Sequence, residues 1–399
     1  VSPNLPVYLD HQATTPVDPT VLEGMLPWFS EKFGNSSSHS HPYGWEAEEA
    51  VELARRRVAD ALGVAPREIV LTSGATESNN LAILGLARAW KSRGKHLVSC
   101  ATEHHAVLDP LRALEHEGFE VTILPVAPDG RVDPELVAGA LRSDTILLSI
   151  MAANNEIGVL QPIEALGRVA KERGIPFHCD AAQAFGKIPF EPAPLGVDLV
   201  SLSAHKIYGP KGVGALWLRP KGPRIRIEPL LHGGGQEKGL RPGTLNVPAI
   251  VGLGLAAELS IREMPTEAPR LSRLRDRLRS RILESLGGVR ENGNPTERLP
   301  GNLNLSFDGV PGEALLMELR SLAVSSGSAC ASASPEPSHV LRALGLPDDL
   351  AHASLRFGLG RTTTLEEIDF AADEVIRAVR LLRSMAPGTE PGTPRSRPE

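Results

Sequence analysis

Thiols and aromatic rings are scarce in this chain. Among 399 residues there are three cysteines, four tryptophans, three tyrosines and nine phenylalanines. Cys100, Cys179 and Cys330 form no CxxC pair, and an odd number leaves at least one thiol unbridged. Disulfide-knit secreted scaffolds and zinc ribbons are therefore excluded, and a reducing compartment is expected. With aromatics at 4%, the core must be aliphatic and rich in alanine. No apolar run approaches the roughly 18 residues that a membrane span needs. The opening Val1-Ser2-Pro3-Asn4-Leu5-Pro6 has neither a basic nor an apolar region and reads as no secretory signal. It also lacks an initiator Met, which is compatible with a processed start. A cytoplasmic location is expected, or an organelle matrix if the N-terminus is processed. Positive charge is not in excess: 42 Lys and Arg against 48 Asp and Glu leave a net charge of −6, which argues against nucleic acid as the main partner.

Turn residues are abundant, with 38 glycines and 34 prolines. Between them, short apolar runs alternate with amphipathic stretches as far as Pro220. The runs are Val7–Asp10, Ile69–Ser73, His96–Ala101, Val121–Val126, Thr145–Met151, Pro176–Ala181, Leu199–Ala204 and Gly214–Leu218. Runs this short and aliphatic predict buried strands. Strands alternating with helices predict an α/β fold with a mainly parallel sheet covered on both faces. In such sheets ligands lie beyond the carboxyl ends of the strands.

The character changes near Glu263. Leu271, Leu274, Leu278 and Ile282 mark one face of a helix also carrying Arg273, Arg275, Arg277, Arg279 and Arg281, which reads as a solvated face. Asn302–Phe307 is strand-like. Thr364 and Glu367 form a capping box ahead of a second helix. The organisation expected is an N-terminal segment 1–12 packing with a smaller domain, a large domain over 13–262, the small C-terminal α/β domain over 263–386, and a disordered tail over 387–399. Residues 325–337, rich in Ser, Ala, Gly and Pro, read as a mobile loop within the small domain.

Three motifs suggest chemistry. Thr72-Ser73-Gly74-Ala75-Thr76-Glu77 ends a strand and starts a helix, offering free N–H groups and hydroxyls to a phosphate. Phe177-His178-Cys179-Asp180 places a carboxylate at the end of a buried strand, a costly position without a cationic partner. Ser203-Ala204-His205-Lys206 places a lysine where a strand ends, and desolvation makes its amine nucleophilic. Taken singly, these also read as an ordinary N-cap, a structural Asp and a surface Lys. Taken together, a phosphate cradle, a buried acid and a strand-end lysine match what pyridoxal phosphate requires.

Further motifs extend the pattern: Tyr8-Leu9-Asp10 with Ala13-Thr14-Thr15-Pro16, Thr102-Glu103-His104, Asn154-Asn155-Glu156-Ile157-Gly158, Ser203–Gly214, Gly233-Gly234-Gly235-Gln236-Glu237 and Ser325-Ser326-Gly327-Ser328-Ala329-Cys330. From Tyr8 to Met385 the chain resembles the cysteine desulfurases of iron–sulfur cluster assembly, of the housekeeping and nitrogen-fixation type with a long cysteine loop. These are class V, fold-type-I pyridoxal-phosphate enzymes and homodimers. The resemblance implies conversion of L-cysteine to L-alanine, with the sulfur held as a persulfide on Cys330. The sulfur would then be donated to an acceptor such as an iron–sulfur scaffold, or used for thiolation. It implies that Lys206 carries the cofactor and Asp180 partners its pyridinium. Gln183 would bond the phenolic oxygen and His104 would stack on the ring and assist proton transfer. Ala75, Thr76, Ser203 and His205 would form the phosphate cup, joined by Thr244 from the partner subunit. Asn155 and Arg356 would hold the substrate carboxylate. Cys100 and Cys179 fall in predicted strands and read as inert core residues.

The chain departs from the family pattern at Pro242 (usually Ser), Ala331 (usually Thr) and Ser36 (usually Pro). The Pro-rich end does not resemble the family's C-terminal scaffold-docking segment, so docking of a scaffold by that route is not expected. Two other readings stand beside this one. A selenocysteine lyase or other β-eliminating relative would share the fold but is disfavoured by Cys330 in its long loop. A non-catalytic sulfur or iron carrier would use Cys330 with His39, His41 and His105, but three scattered cysteines make poor cluster ligands. No metal site is expected.

Overall fold

Seven of the eight apolar runs pair into one sheet in the computed structural model, which describes residues 4–220, 225–326 and 336–385. In chain order the strands are β1 (Val7–Tyr8), β2 (Ile69–Thr72), β3 (His96–Cys100), β4 (Glu120–Leu124), β5 (Thr145–Ser149), β6 (Phe177–Asp180), β7 (Leu199–Ser203), β8 (Gly214–Leu218), β9 (Val289–Glu291), β10 (Asn302–Phe307), β11 (Leu322–Ala323) and β12 (Ser354–Gly358). The large sheet runs β2-β8-β7-β6-β5-β3-β4. Strands β4, β3, β5, β6 and β7 are parallel neighbours. Strand β8 runs antiparallel to both β7 and β2, an exception that the alternation of runs does not reveal. The central strands are buried along their whole length, as continuous apolar runs require when helices cover both faces.

The eighth run behaves differently. Val7–Tyr8 lies outside the large sheet and pairs in parallel with β11, so that Val7 and Leu9 enter the core formed by β10, β12 and the C-terminal helix Leu365–Met385. That helix opens on the anticipated capping box: Glu367 N–H donates to Thr364 Oγ1, and Thr364 N–H to the Glu367 carboxylate.

One sequence expectation needs correction and another gains detail. The expected boundary at 262/263 lies within one helix, Val247–Ser285, of 39 residues, between the part that packs in one hydrophobic core and the part that packs in the other. Its first half packs in the core of the large sheet, through residues such as Leu253 and Ala257. Its second half supplies Leu271, Leu278 and Ile282 to the smaller core. Pro265 and Pro269 sit on its exposed side, where the carbonyls left without an N–H partner can reach water. Its arginines, against expectation, are not merely a solvated face. Arg277 and Arg281 bind Asp369 of the C-terminal helix, Arg281 also reaches Asp373, and Arg279 binds Glu291 of β9. The polar stripe staples this helix to its neighbours.

The register brings three strand ends to one edge. Thr72 and Ser203 both pair with Gly214, from opposite sides of β8. A Cβ at Gly214 would stand 2.7 Å from the Gly74 Cα, so only glycine lets the turn after β2 pass there. Gly74 itself has φ +152° and ψ 178°, a conformation open essentially to glycine alone. Residues 73–76, 181–183 and 204–206 thus converge where the parallel-sheet rule points.

Candidate active site

At that edge lies a cavity of about 480 Å³, within the range of small-molecule sites. Its wall includes Ala75, Thr76, His104, Asn155, Asp180, Gln183, Ser203, His205, Lys206 and Arg356. The structure therefore assembles ten of the twelve expected site residues. Thr244 is not among them: it is exposed and lines no part of this chain's own cavity. Cys330 lies outside the described residues, as do the core of the expected loop and the tail.

Helix Ala75–Trp90 starts at one end of the cavity, where its first N–H groups have no partners within the helix. Thr76, Ser203, His205 and Lys211 add donors around them. His205 Nδ1 lies 3.1 Å from Thr14 Oγ1; burial, with Lys206, Lys211 and Lys187 nearby, pushes its pKa down to about 4. Glu77, one turn into the helix, is held below its usual pKa by Arg241 and the Ser73 N–H despite partial burial. It is thus an ion-paired carboxylate.

The same helix supports Asp180. Asn79 Nδ2 donates to Asp180 Oδ2 at 2.7 Å, and the Ala182 N–H donates to Oδ1 at 2.9 Å. Both Asn79 and Asp180 are buried. Neither donor, the Asn79 amide nor the Ala182 N–H, carries a charge. A buried carboxylate supported by neutral donors is suited to receive a cationic N–H from a ligand.

Lys206 follows β7 in a short 3-10 turn, and its Nζ donates to the carbonyls of Gln12 and Ala13 at 2.6 and 2.7 Å. His104 caps helix His105–His116, accepting the Ala106 N–H at Nδ1 over 3.0 Å. Burial, foremost, holds this imidazole below its usual pKa, so it is neutral near pH 7 with Nε2 as its remaining ring nitrogen.

Arg356, in β12, is 1% exposed. It donates to Asp10 Oδ1 at 2.7 Å and to the Asn155 carbonyl at 3.1 Å, while its Nε has no partner. The Asn154 side chain shapes this turn by accepting the N–H groups of Glu156 and Ile157. Backbone bonds between Ser325 and Arg356 anchor the chain just before residue 327. Beyond residue 335, Ser338 Oγ donates to the buried Glu156 carboxyl, and His339 Nε2 donates to the Glu103 carbonyl. Burial pushes Glu156 up to about 7 and Glu103 up to about 8.

These residues fit pyridoxal phosphate on their own chemistry. The helix start suits a phosphate, Asp180 a pyridinium and Lys206 an aldehyde, while His104 offers a ring to stack. Sequence reasoning gave no role to Asp10, Gln12 or Asn79, although Asp10 lies within a motif already noted. Cys100 and Cys179 are buried, and burial pushes both thiols well above their usual pKa. The histidines of the carrier reading are dispersed: His41 caps a helix, and His39 and His105 bind Glu48 and Asp109. No group of residues able to hold a metal ion occurs among the described residues.

Comparison with known proteins gives a consistent result. Residues 7–370 match the aminotransferase class-V family. The chain is 57% identical to the cysteine desulfurase IscS of Anaeromyxobacter dehalogenans over 383 residues, 96% of this chain and 95% of that protein. It is 52% identical to the IscS of Rickettsia felis over 386 residues, covering 97% and 94%. Among solved structures, a NifS-like protein superposes with a TM-score of 0.88 at 39% identity, covering 95% of this chain and all of that one. SspA in complex with cysteine superposes at 0.79 with 40% identity, covering 88% and 98%.

Proposed function

The chain belongs to the aminotransferase class-V family and is a pyridoxal-phosphate-dependent cysteine desulfurase, and from that premise we propose how its residues divide the work. Pyridoxal phosphate, when bound, supplies an aldehyde that takes up an amine and a ring that accepts electrons from the substrate's Cα. Lys206 would hold the cofactor, and its amine, when free, would move the substrate's Cα proton. Asp180, braced by Asn79, keeps a proton on the ring nitrogen. Ala75, Thr76, Ser203 and His205 hold the phosphate, and Gln183 donates to the phenolic oxygen.

Arg356 and Asn155 orient the cysteine carboxylate; a planar guanidinium suits that bidentate contact. His104 would cover the ring face and, with Nδ1 accepting the Ala106 N–H, would offer its Nε2–H to the substrate sulfur as a hydrogen-bond donor during the proton transfers. Cys330, as thiolate, attacks the substrate sulfur. The S–S bond forms as the C–S bond breaks, and the carbon takes up a proton to leave as L-alanine. The persulfide then passes to an acceptor protein for iron–sulfur cluster assembly or thiolation. We place the enzyme in the cytoplasm as a homodimer in which Thr244 completes the partner's phosphate cup. No described helix is long and apolar enough to cross a membrane.

The observation that carries this reading is the convergence of Lys206, Asp180, His104 and Arg356 in one cavity at the sheet edge. Incubation with L-cysteine and a reductant is expected to release sulfide and alanine in equal amounts. Cys330→Ala is expected to keep the bound cofactor and lose the persulfide; turnover unchanged by that substitution would refute the assignment of the nucleophile.

A further inference from the structure

Behind the wall that carries Lys206 lies a second, small cavity of about 40 Å³, whose lining includes Gln12, Lys187, Lys206, Tyr208 and Glu267. Lys187 has no part in the scheme above, yet it is not placed like a surface lysine. Its Nζ is enclosed and donates to Gln183 Oε1 at 2.8 Å. At the other end of the same amide, Gln183 Nε2 donates to the Gln12 carbonyl at 2.9 Å, and that carbonyl also accepts from Lys206.

A glutamine amide has one accepting end and one donating end. Turning the Gln183 amide over would set its oxygen against the Gln12 carbonyl and its NH2 group against the Lys187 amine. With the amine charged, two hydrogen bonds would become two repulsions. The neighbours therefore select one orientation, and in it the NH2 group keeps a second hydrogen beyond the one given to Gln12.

We propose that Lys187 is a positioning residue, whose amine holds the oxygen end of Gln183 so that the cavity presents an N–H, not a carbonyl, to the cofactor's phenolic oxygen. This rests on the reading of Gln183 as the donor to that oxygen. The charged amine can only donate and so enforces this orientation; the neutral amine still donates but can also accept, which leaves the Gln12 carbonyl to hold the amide from its other end. That matters because burial, foremost, then Lys206 push Lys187 down to about 7, with Arg356 acting in the same direction and Glu267 against it. His11 and His205 also face the Lys187 charge.

The test is a pH titration of the visible absorption band of the holoenzyme in Lys187→Met, Gln183→Ala and the double variant. Losing one N–H donor to a charged oxygen is expected to raise the midpoint by about one unit, because that oxygen then holds the neighbouring proton more tightly. Lys187→Met should give most of this rise, and its effect should vanish in the Gln183→Ala background, since the two residues act as one. A Lys187→Met shift that persists without Gln183 would overturn the proposal, showing that the charge acts directly. A shift in Gln183→Ala with none in Lys187→Met would also overturn it, leaving the role of Gln183 intact. No shift in Gln183→Ala would instead remove the reading beneath it. Lys187→Arg keeps a donor and should titrate like the wild type; a full-unit displacement there counts against the proposal even if Lys187→Met does not fold.

Discussion

Replacing Asp10 by Asn tests the carboxylate site without touching the cofactor. Asp10 Oδ1 lies 2.7 Å from Arg356, whose guanidinium is 1% exposed. The substitution keeps an oxygen in place and removes only the charge. At an effective dielectric constant near 20, two unit charges 4 Å apart interact by about 4 kcal/mol. Because the amide oxygen of the replacement would still accept a hydrogen bond, the net loss of stability should be about 2–4 kcal/mol. For a protein of this size that lowers Tm by roughly 2–5 °C. A ligand carboxylate should replace the missing charge. Saturating L-alanine is therefore expected to raise the Tm of the Asp10→Asn holoenzyme by about 2 °C or more beyond its effect on the wild type. Thermal unfolding with and without L-alanine reads both effects. Equal stabilisation of the two proteins would refute the reasoning, because Arg356 would then not be where the carboxylate binds.

Two other outcomes follow from buried ionisable groups. Burial pushes His178 down to about 3 and His11 to about 4, so the folded state refuses protons that the unfolded chain accepts near pH 6.5. Their contribution to stability is complete above pH 6.5 and is lost as pH falls toward 4, by up to roughly 3 kcal/mol per pH unit for the two together. Urea midpoints at pH 7, 6 and 5 would show it; a flat profile would refute it. Glu103 has the opposite sign. Burial raises its pKa to about 8, so stability is lost as pH rises from 4.5 toward 8, where only the unfolded chain has released the proton. Glu103→Gln keeps the oxygen that accepts the Met151 N–H. It should therefore gain stability over wild type, and the gain should grow from pH 5 to pH 8 in the same urea experiment.

Sequence pattern exposes some features and hides others for physical reasons. Buried strands of an α/β sheet are continuous apolar runs bounded by turns, so Ile69–Thr72 and Leu199–Ser203 can be read within a residue or two of their ends. Strand direction leaves no such trace, and β8 gave no sign of running antiparallel. The change in composition near Glu263 marks where contacts pass from one core to the other, but it leaves no trace of the single helix that runs through. At the site, Lys206, Asp180 and the start of helix Ala75–Trp90 are legible because each sits at the end of a strand or the start of a helix. Asn79 and Asp10 are not, because their partners lie 101 and 346 positions away. Lys187 escapes for another reason: its role depends on which end of a neighbouring amide it touches, a matter of side-chain geometry alone.

Helix Val247–Ser285 has a mechanical consequence. At 1.5 Å per residue, its 39 residues make a rod about 58 Å long, with either half embedded in a different hydrophobic mass. Such a beam transmits torque, so a twist applied near Ile282 is felt near Leu253, and the two lobes cannot swivel about the 262/263 position as beads on a string would. Grafting the C-terminal lobe onto another protein would thus have to carry the whole beam, or leave it sawn through the middle with an exposed greasy stub.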